Sequence, residues 1–427
     1  MEGTYQVVII GGGPGSATAA YYLARAGVRT AMIEKEEFPR YAVGESLLPR
    51  NMGIFEDMGL AEAFEREFLR KDGAVFANAD SETFARINFA DGLPSEHTYA
   101  YQVPRDRFDV ILQEHACEAG AELLRGTVRG LIEEDGRTVG VAMADRDGSM
   151  RRLGAELVVD ASGRGAFIGR KLGLMVHDPK LDTAAVFGLF RGVEAPVEAK
   201  RGDVVILAFD VGWFWFIPFA DGRTSVGAVV DREVYDAFPE RSAEAIFAGL
   251  VRRAAGRVPE LMVQAERIDD LHVLRRFNRK ASRFAGPGWV LLGDAAMFVD
   301  PVFSAGVLAA TTEGKLVAEI VAPLLKAGTR IDPEHFEQYT ATIESGYELL
   351  FPYIVGWKDE IFRKFFTKPG RATRTVQTVI TVLSGGTFSP DFPKDGAAGF
   401  WRVIKLYRFW RRLTTPFRWL VARSSAA

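Results

Sequence analysis

The sequence predicts an α/β fold in which a parallel-sheet domain is interrupted by a mainly β insert and followed by a helical C-terminal region. Three observations carry this reading. The chain opens on strand, glycine turn, helix and strand; residues 182–275 hold a series of apolar strand-like runs; and the pattern from Pro333 onward is helical. With 427 residues there is room for two or three lobes at roughly 150 residues each.

Residues 5–10 form a short β-branched apolar run. Glycines follow, and residues 16–26 are Ala-rich and helix-favouring. Gly27 ends that helix, and residues 28–33 form a second strand finishing on Glu34, which completes a βαβ unit of Rossmann-like type. Residues 106–119 have helical spacing, while 127–144 and 151–159 read as alternating strands joined by the turn Asp145-Arg146-Asp147-Gly148. The runs 184–191, 203–209, 213–219 and 224–230 predict a second sheet. Residues 289–294 return as another strand of the first domain, and 305–325 form a long apolar helix. The first domain is therefore discontinuous, over 1–75, 100–175 and 276–330. Residues 76–99 and 176–275 make the insert, and 331–427 the helical region.

Composition excludes several classes. Lys plus Arg number 53 against 56 acids, a net charge of −3, which lacks the global positive field of a nucleic-acid binder. One cysteine and five histidines cannot assemble a Cys₄ or Cys₂His₂ metal site or an intrachain disulfide, so a reducing cytoplasmic setting and no metal are expected. No run approaches the ~18–20 continuous apolar residues of a spanning helix. The N-terminus lacks the basic region of a signal peptide.

Gly11-Gly12-Gly13-Pro14-Gly15-Ser16 fits GxGxxG at its first two glycines, with Ser16 in place of the third. Missing side chains at Gly11, Gly13 and Gly15 permit the turn and let backbone N–H groups reach a pyrophosphate at the helix N-terminus. Glu34, 23 residues after Gly11, stands where a carboxylate accepts hydrogen bonds from an adenosine ribose. A dinucleotide is expected.

Two further segments resemble the DxSGR-like and GDA motifs of the class A flavoprotein monooxygenase superfamily: Asp160-Ala161-Ser162-Gly163-Arg164 and Gly293-Asp294-Ala295-Ala296. The resemblance implies FAD, with Asp160 and Asp294 at the cofactor and Arg40 and Arg105 near the flavin. Only one dinucleotide fingerprint is visible, so a separate flavin reductase is the expected source of reduced FAD.

Trp213-Phe214-Trp215-Phe216-Ile217-Pro218 contains WxWxIP, and strand alternation places both indoles on one face. Gly44-Glu45-Ser46-Leu47-Leu48-Pro49 and Lys71-Asp72-Gly73-Ala74-Val75-Phe76 match GESxxP and KxGAxF. Phe298 to Gly306 matches FxxPxxSxG. Together they resemble the flavin-dependent halogenases, in the branch acting on phenols, pyrroles and carrier-bound acyl groups, and the resemblance spans about residues 5–320. It implies Trp213 and Trp215 as a barrier between flavin and substrate. It implies Lys71 as the residue that either hydrogen-bonds hypohalous acid or forms a haloamine. Chloride or bromide is expected at Ser304, Ala305 and Gly306, where a helix opens, with Pro301 and Gly306 against the flavin. Phe303 replaces a glutamate common in tryptophan halogenases, which points to a phenol-type or pyrrole-type arene.

The resemblance thus implies a halogenase that uses reduced FAD, oxygen and halide to make hypohalous acid, relayed to Lys71 and on to an electron-rich arene, free or tethered to a carrier protein. His97 and Glu45 are candidates for the base that removes the ring proton. The alternative is a flavin monooxygenase or a geranylgeranyl-reductase-like oxidoreductase on the same scaffold. Residues 400–423 carry seven Lys or Arg, no acid, and interleaved aromatics. They suit contact with an acidic carrier or a membrane surface, or a helix pair packed on the substrate domain.

Overall fold

The structure, a computed structural model, describes residues 3–80, 84–367, 373–388, 392 and 398–409. Its first sheet is built on parallel pairings. Gly3–Ile10 lies between Thr30–Glu34 and Met150–Asp160; Thr30–Glu34 is followed by the start of Glu122–Glu134, and Met150–Asp160 by Trp289–Leu291. Val7, Val8 and Ile9 are fully buried, as expected for a strand covered on both faces. This is the Rossmann-like α/β core.

Glu122–Glu134 and Met150–Asp160 are each used twice, because their far halves pair antiparallel with Arg137–Asp145. The run expected over 127–144 is therefore two strands. Asp135 and Gly136 break it, both at positive φ, the conformation a tight hairpin turn needs and an Asp-Gly pair supplies.

The second sheet contains Thr183–Arg191, Val204–Phe209, Gly212–Pro218 and Thr224–Asp231, and extends through Gly73–Asn78 and Phe84–Asn88. Gly73–Asn78 pairs with Val204–Phe209, so it straddles the expected boundary at 75/76. Alternation divides this sheet between two cores. Trp213, Trp215 and Ile217 join the core shared with the first sheet. Phe214 and Phe216 join a second core with Ile246, Phe247 and Leu250 of the helix Ala243–Ala254, which interrupts the expected strand-rich insert.

The helix Ala305–Lys326 packs on the helix Pro14–Arg25 so closely that a Cβ on Gly314 would lie 2.5 Å from the Gly15 carbonyl oxygen. Beyond it come Glu337–Trp357, Glu360–Phe366, Arg374–Leu383 and a helix over 398–409. Trp357 and Phe366 from this region meet Phe76 and Phe303 in one aromatic cluster. The C-terminal helices thus cover the side of the molecule where the KxGAxF and FxxPxxSxG segments converge. Among the described residues no helix is long and apolar enough to cross a membrane.

Candidate active site

The turn after Gly3–Ile10 is shaped for close approach. Gly11 has φ +110°, and a Cβ there would lie 2.5 Å from the Ala161 carbonyl oxygen; one on Gly15 would lie 2.8 Å from Leu292 Cδ1. Ser16, in place of the third glycine, turns its hydroxyl back to donate to the Gly11 carbonyl at 2.5 Å. Glu34 is buried, and its two oxygens accept the Gly12 and Glu36 N–H groups at 2.8 Å each. It orders the loop, and each oxygen keeps a lone pair for a ribose hydroxyl. Gln113, which the motif does not include, donates to the Gly12 carbonyl at 2.6 Å.

The helix Pro14–Arg25 has Gly13 at its N-cap and no side-chain capping bond, so its first amides are open to an anion. Arg40 stands over this end: its Nη2 lies 4.0 Å from the point a Gly13 Cβ would occupy. Among the described residues the buried Arg40 Nε has no hydrogen-bond partner. Arg105 is fixed by a bidentate bond to the wholly buried Asp109, at 2.6 and 2.9 Å, and donates to the Val43 carbonyl at 2.6 Å.

Asp160 faces inward. Its carboxylate is fully buried and accepts the Ser162 N–H at 3.0 Å and the Ile168 N–H at 2.6 Å, so it acts on a ligand through the loop it holds. Burial raises its pKa, against those hydrogen bonds. Asp294 is different: among the described residues its carboxylate accepts no hydrogen bond. Burial raises its pKa while Arg279, Arg105 and Arg164 oppose the shift. The GDA turn is supported from outside the motif by Glu313, which accepts the Gly293 N–H at 2.6 Å and the Tyr339 hydroxyl at 3.1 Å. Burial pushes the Glu313 carboxyl up to about 8.

An open helix N-terminus, an orphaned arginine Nε and a carboxylate with free acceptors fit a flavin dinucleotide: pyrophosphate at Gly13 to Gly15, ribityl hydroxyls at Asp294. The FxxPxxSxG segment lies alongside. Asp300 starts a short turn over Pro301–Phe303 by accepting the Val302 N–H at 3.0 Å. Ser304 then takes a left-handed conformation, φ 57°, as N-cap of Ala305–Lys326, with no side-chain capping bond and no acid in the first turn. Such a conformation in a non-glycine residue costs of order 1–3 kcal/mol. As the first amides of the helix, those of Ala305 and Gly306 have no intrahelical acceptor and, among the described residues, no capping side chain; Asp294 Oδ1 lies 4.0 Å from the Cβ position of Gly306.

Lys71 is no solvated loop residue. It ends the strand Leu69–Lys71, paired with Ala100–Gln102, and is 1 % exposed. Its Nζ donates to Ser46 Oγ and to the Leu47 carbonyl, both at 2.8 Å, and lies 5.2 Å from the Phe89 ring centroid. Burial pushes its pKa down to about 7, partly opposed by the charge of Asp203. Asp203 is itself held by Arg86 at 2.7 and 3.2 Å.

Segment 44–48 joins the motifs. A Cβ on Gly44 would lie 2.9 Å from Arg105 Nη1 and 3.2 Å from Val307 Cγ2, which places the segment on the first turn of Ala305–Lys326. Ser46 and Leu47 hold Lys71. Glu45 Oε2 accepts the Ser225 hydroxyl at 2.8 Å, and Ser225 Oγ accepts the Trp215 Nε1–H at 3.1 Å. Trp213 and Trp215 lie with ring centroids 5.9 Å apart. His97 is engaged elsewhere, with Nδ1 3.4 Å from Glu56 Oε1. Gln113, Asp109, Glu313, Asp203, Arg86 and Ser225 are thus residues around the site that motif reading misses; each lies outside the motifs, and its role shows only in the contact that the fold gives it.

A glycine-turn nucleotide cradle joined to a buried lysine and a tryptophan-bearing sheet defines a flavin-dependent oxidoreductase. A family model described as an FAD binding domain matches residues 4–341. The chain is 30% identical, over 90% of both sequences, to a chlorinase of 1H-pyrrole-2-carbonyl peptidyl-carrier protein from Pseudomonas fluorescens. It superposes on the solved flavin-dependent brominase Bmp2 with a TM-score of 0.83, at 27% identity, covering 95% of this chain and 99% of that one. A flavoprotein/dehydrogenase structure from Cytophaga hutchinsonii gives 0.86 at 26% identity, covering 96% and 100%. The chain belongs to the flavin-dependent halogenase family of FAD-binding oxidoreductases, with FAD as cofactor and halide as co-substrate.

Proposed function

We propose that this enzyme halogenates an electron-rich arene of phenol or pyrrole type, with a pyrrolyl group on a peptidyl carrier protein as the favoured substrate, and that a separate reductase delivers its reduced FAD. The observation that carries the reading is the Lys71 amine, buried and bonded to the same short segment that touches Trp215 through Ser225 and packs on the first turn of Ala305–Lys326. The carrier-bound pyrrole is supported by the Pseudomonas fluorescens relative, whose stated substrate it is, matched over most of both chains. The single dinucleotide fingerprint supports the outside reductase.

When bound, reduced FAD supplies with oxygen the oxidising equivalent that turns halide into hypohalous acid. The unpaired amides of Ala305 and Gly306, beside Ser304, hold the halide anion. The paired indoles of Trp213 and Trp215 keep the arene from the flavin side. A neutral Lys71 amine has two N–H groups, which Ser46 and Leu47 accept, and one lone pair left to react. It attacks the halogen of hypohalous acid: the N–X bond forms, the O–X bond breaks, and one amine proton leaves with the departing oxygen as water. The arene then attacks that halogen, the C–X bond forms as N–X breaks, and the proton lost by the ring balances the one that restores the Lys71 amine. Phe303, enclosed by Phe76, Trp357 and Phe366, puts an aromatic ring where tryptophan halogenases commonly carry a glutamate, which favours a phenol-type or pyrrole-type arene over free tryptophan.

The outer face of the helix over 398–409 exposes Val403, Leu406 and Phe409 among Arg402, Lys405 and Arg408, a face that suits contact with an acidic carrier or a membrane surface. Phe400 and Trp401 pack inward on Tyr353 and Phe362; residues 410–423 of the basic-aromatic segment lie outside the described residues. The testing experiment supplies reduced FAD, oxygen and bromide with pyrrole-2-carbonyl carrier protein, free pyrrole-2-carboxylate and a panel of phenols. Bromination of an arene is expected, strongest on the carrier-bound pyrrole. Bromide-independent hydroxylation would transfer the assignment to the monooxygenase class.

A further inference from the structure

The mechanism above leaves the Glu45 carboxyl without a task, although it is buried and bonded to Ser225. Neighbouring residues of an extended segment point to opposite sides. The Ser46 hydroxyl faces Lys71, and the Glu45 side chain faces the WxWxIP strand. That geometry puts Glu45 at the foot of an indole.

Indole N–H is a donor only, whereas a serine hydroxyl both donates and accepts. Ser225 therefore presents a lone pair to Trp215 Nε1–H when its own proton is committed elsewhere, and Glu45 Oε2 takes that proton. Below the ring, Gly227 supplies a floor: a Cβ there would overlap Trp215 Cζ2 and Cη2. Phe187 closes one side, with ring centroids 5.6 Å apart. The indole thus has steric walls and a single polar tether among the described residues, and the tether's direction is set by Glu45.

We propose that Glu45, acting through Ser225, is a positioning residue that locks the Trp215 indole as the wall between the flavin side and the Lys71 side of the site. This rests on the halogenase reading above. Losing the tether frees the ring to rotate, so hypohalous acid escapes before Lys71 captures it, while its formation continues.

The test uses the full FAD-loaded chain with two readouts. The Trp215 indole N–H resonance, assigned by its loss in Trp215→Phe, reports the tether with no reference to halogenation. It should move upfield in Ser225→Ala and in Glu45→Leu, and stay in place in Glu45→Gln, which keeps an acceptor. Brominated product per reduced FAD consumed should fall by roughly threefold or more in Ser225→Ala and Glu45→Leu, with trapped hypobromous acid rising. The double variant should be no worse than Ser225→Ala alone, because both act on one bond. An unmoved resonance in Glu45→Leu, or losses that multiply in the double variant, would overturn the proposal. If Glu45→Leu does not fold, Glu45→Ala against Glu45→Gln gives the same contrast, and Ser225→Ala against Ser225→Thr, which keeps the hydroxyl, reads the indole bond alone. A chain that oxidises no bromide at all would defeat the halogenase reading, and the indole resonance would still decide the tether.

Discussion

The Lys71 amine sits 2.8 Å from the Ser46 hydroxyl and 2.8 Å from the Leu47 carbonyl, in a position only 1 % exposed. Two acceptors match the two N–H groups of a neutral amine. Desolvation favours that neutral form, which is why burial brings the pKa from 10.5 down to about 7. Geometry and electrostatics both support the proposed role of Lys71 as a nucleophile.

Replacing Lys71 by Ala should lower arene halogenation by roughly 10²-fold or more, the scale of losing a reacting group. FAD affinity should stay unchanged, since Lys71 lies outside the nucleotide cradle. Product analysis beside an FAD titration checks both halves.

The amine reacts only when deprotonated, so halogen transfer should rise with pH through about 7 and level off above it. The sign for stability is the same. With the folded pKa at about 7 and the ordinary value at 10.5, the folded state binds fewer protons between these values, and this group's contribution to stability rises with pH across that window. Melting curves of Lys71→Met should show a flatter pH dependence there, and a halogen-transfer rate that fails to rise with pH through about 7 would contradict the neutral amine.

Gly314→Ala places a methyl group 2.5 Å from the Gly15 carbonyl oxygen and 3.0 Å from the Ala19 nitrogen. Overpacking of this kind costs about 1–3 kcal/mol. Because the helix it displaces begins at the pyrophosphate turn, FAD affinity should fall together with the melting temperature.

Glu313→Leu leaves the Gly293 N–H without its acceptor, at about 1–3 kcal/mol for a buried donor. Glu313→Gln keeps an oxygen there and should be mild. FAD dissociation constants of the two variants, measured side by side, should separate by severalfold if the GDA turn needs this support.

Local patterns made the cradle legible before any coordinates. The apolar run into Gly11, the open helix start at Gly13 and the strand ending on Glu34 all depend on residues close in sequence. WxWxIP was readable for the same reason, since period-2 alternation alone puts Trp213 and Trp215 on one face. What stayed hidden is tertiary. Nothing near Glu313 announces that it holds Gly293, 20 residues earlier, and nothing near Ser225 links it to Glu45, 180 residues away. Asp160 marks the middle case: its motif was visible, but only the fold shows that it ties down the Ser162 and Ile168 amides.

The most direct test of the account is anaerobic reduction of the FAD-loaded protein followed by mixing with oxygenated buffer, with and without bromide, trapping both hydrogen peroxide and hypobromous acid. The account predicts that bromide diverts peroxide into trapped oxidised bromine. Peroxide release that ignores bromide would contradict it, and would leave Trp213, Trp215 and Lys71 as a halogenase-like frame without halogenase chemistry.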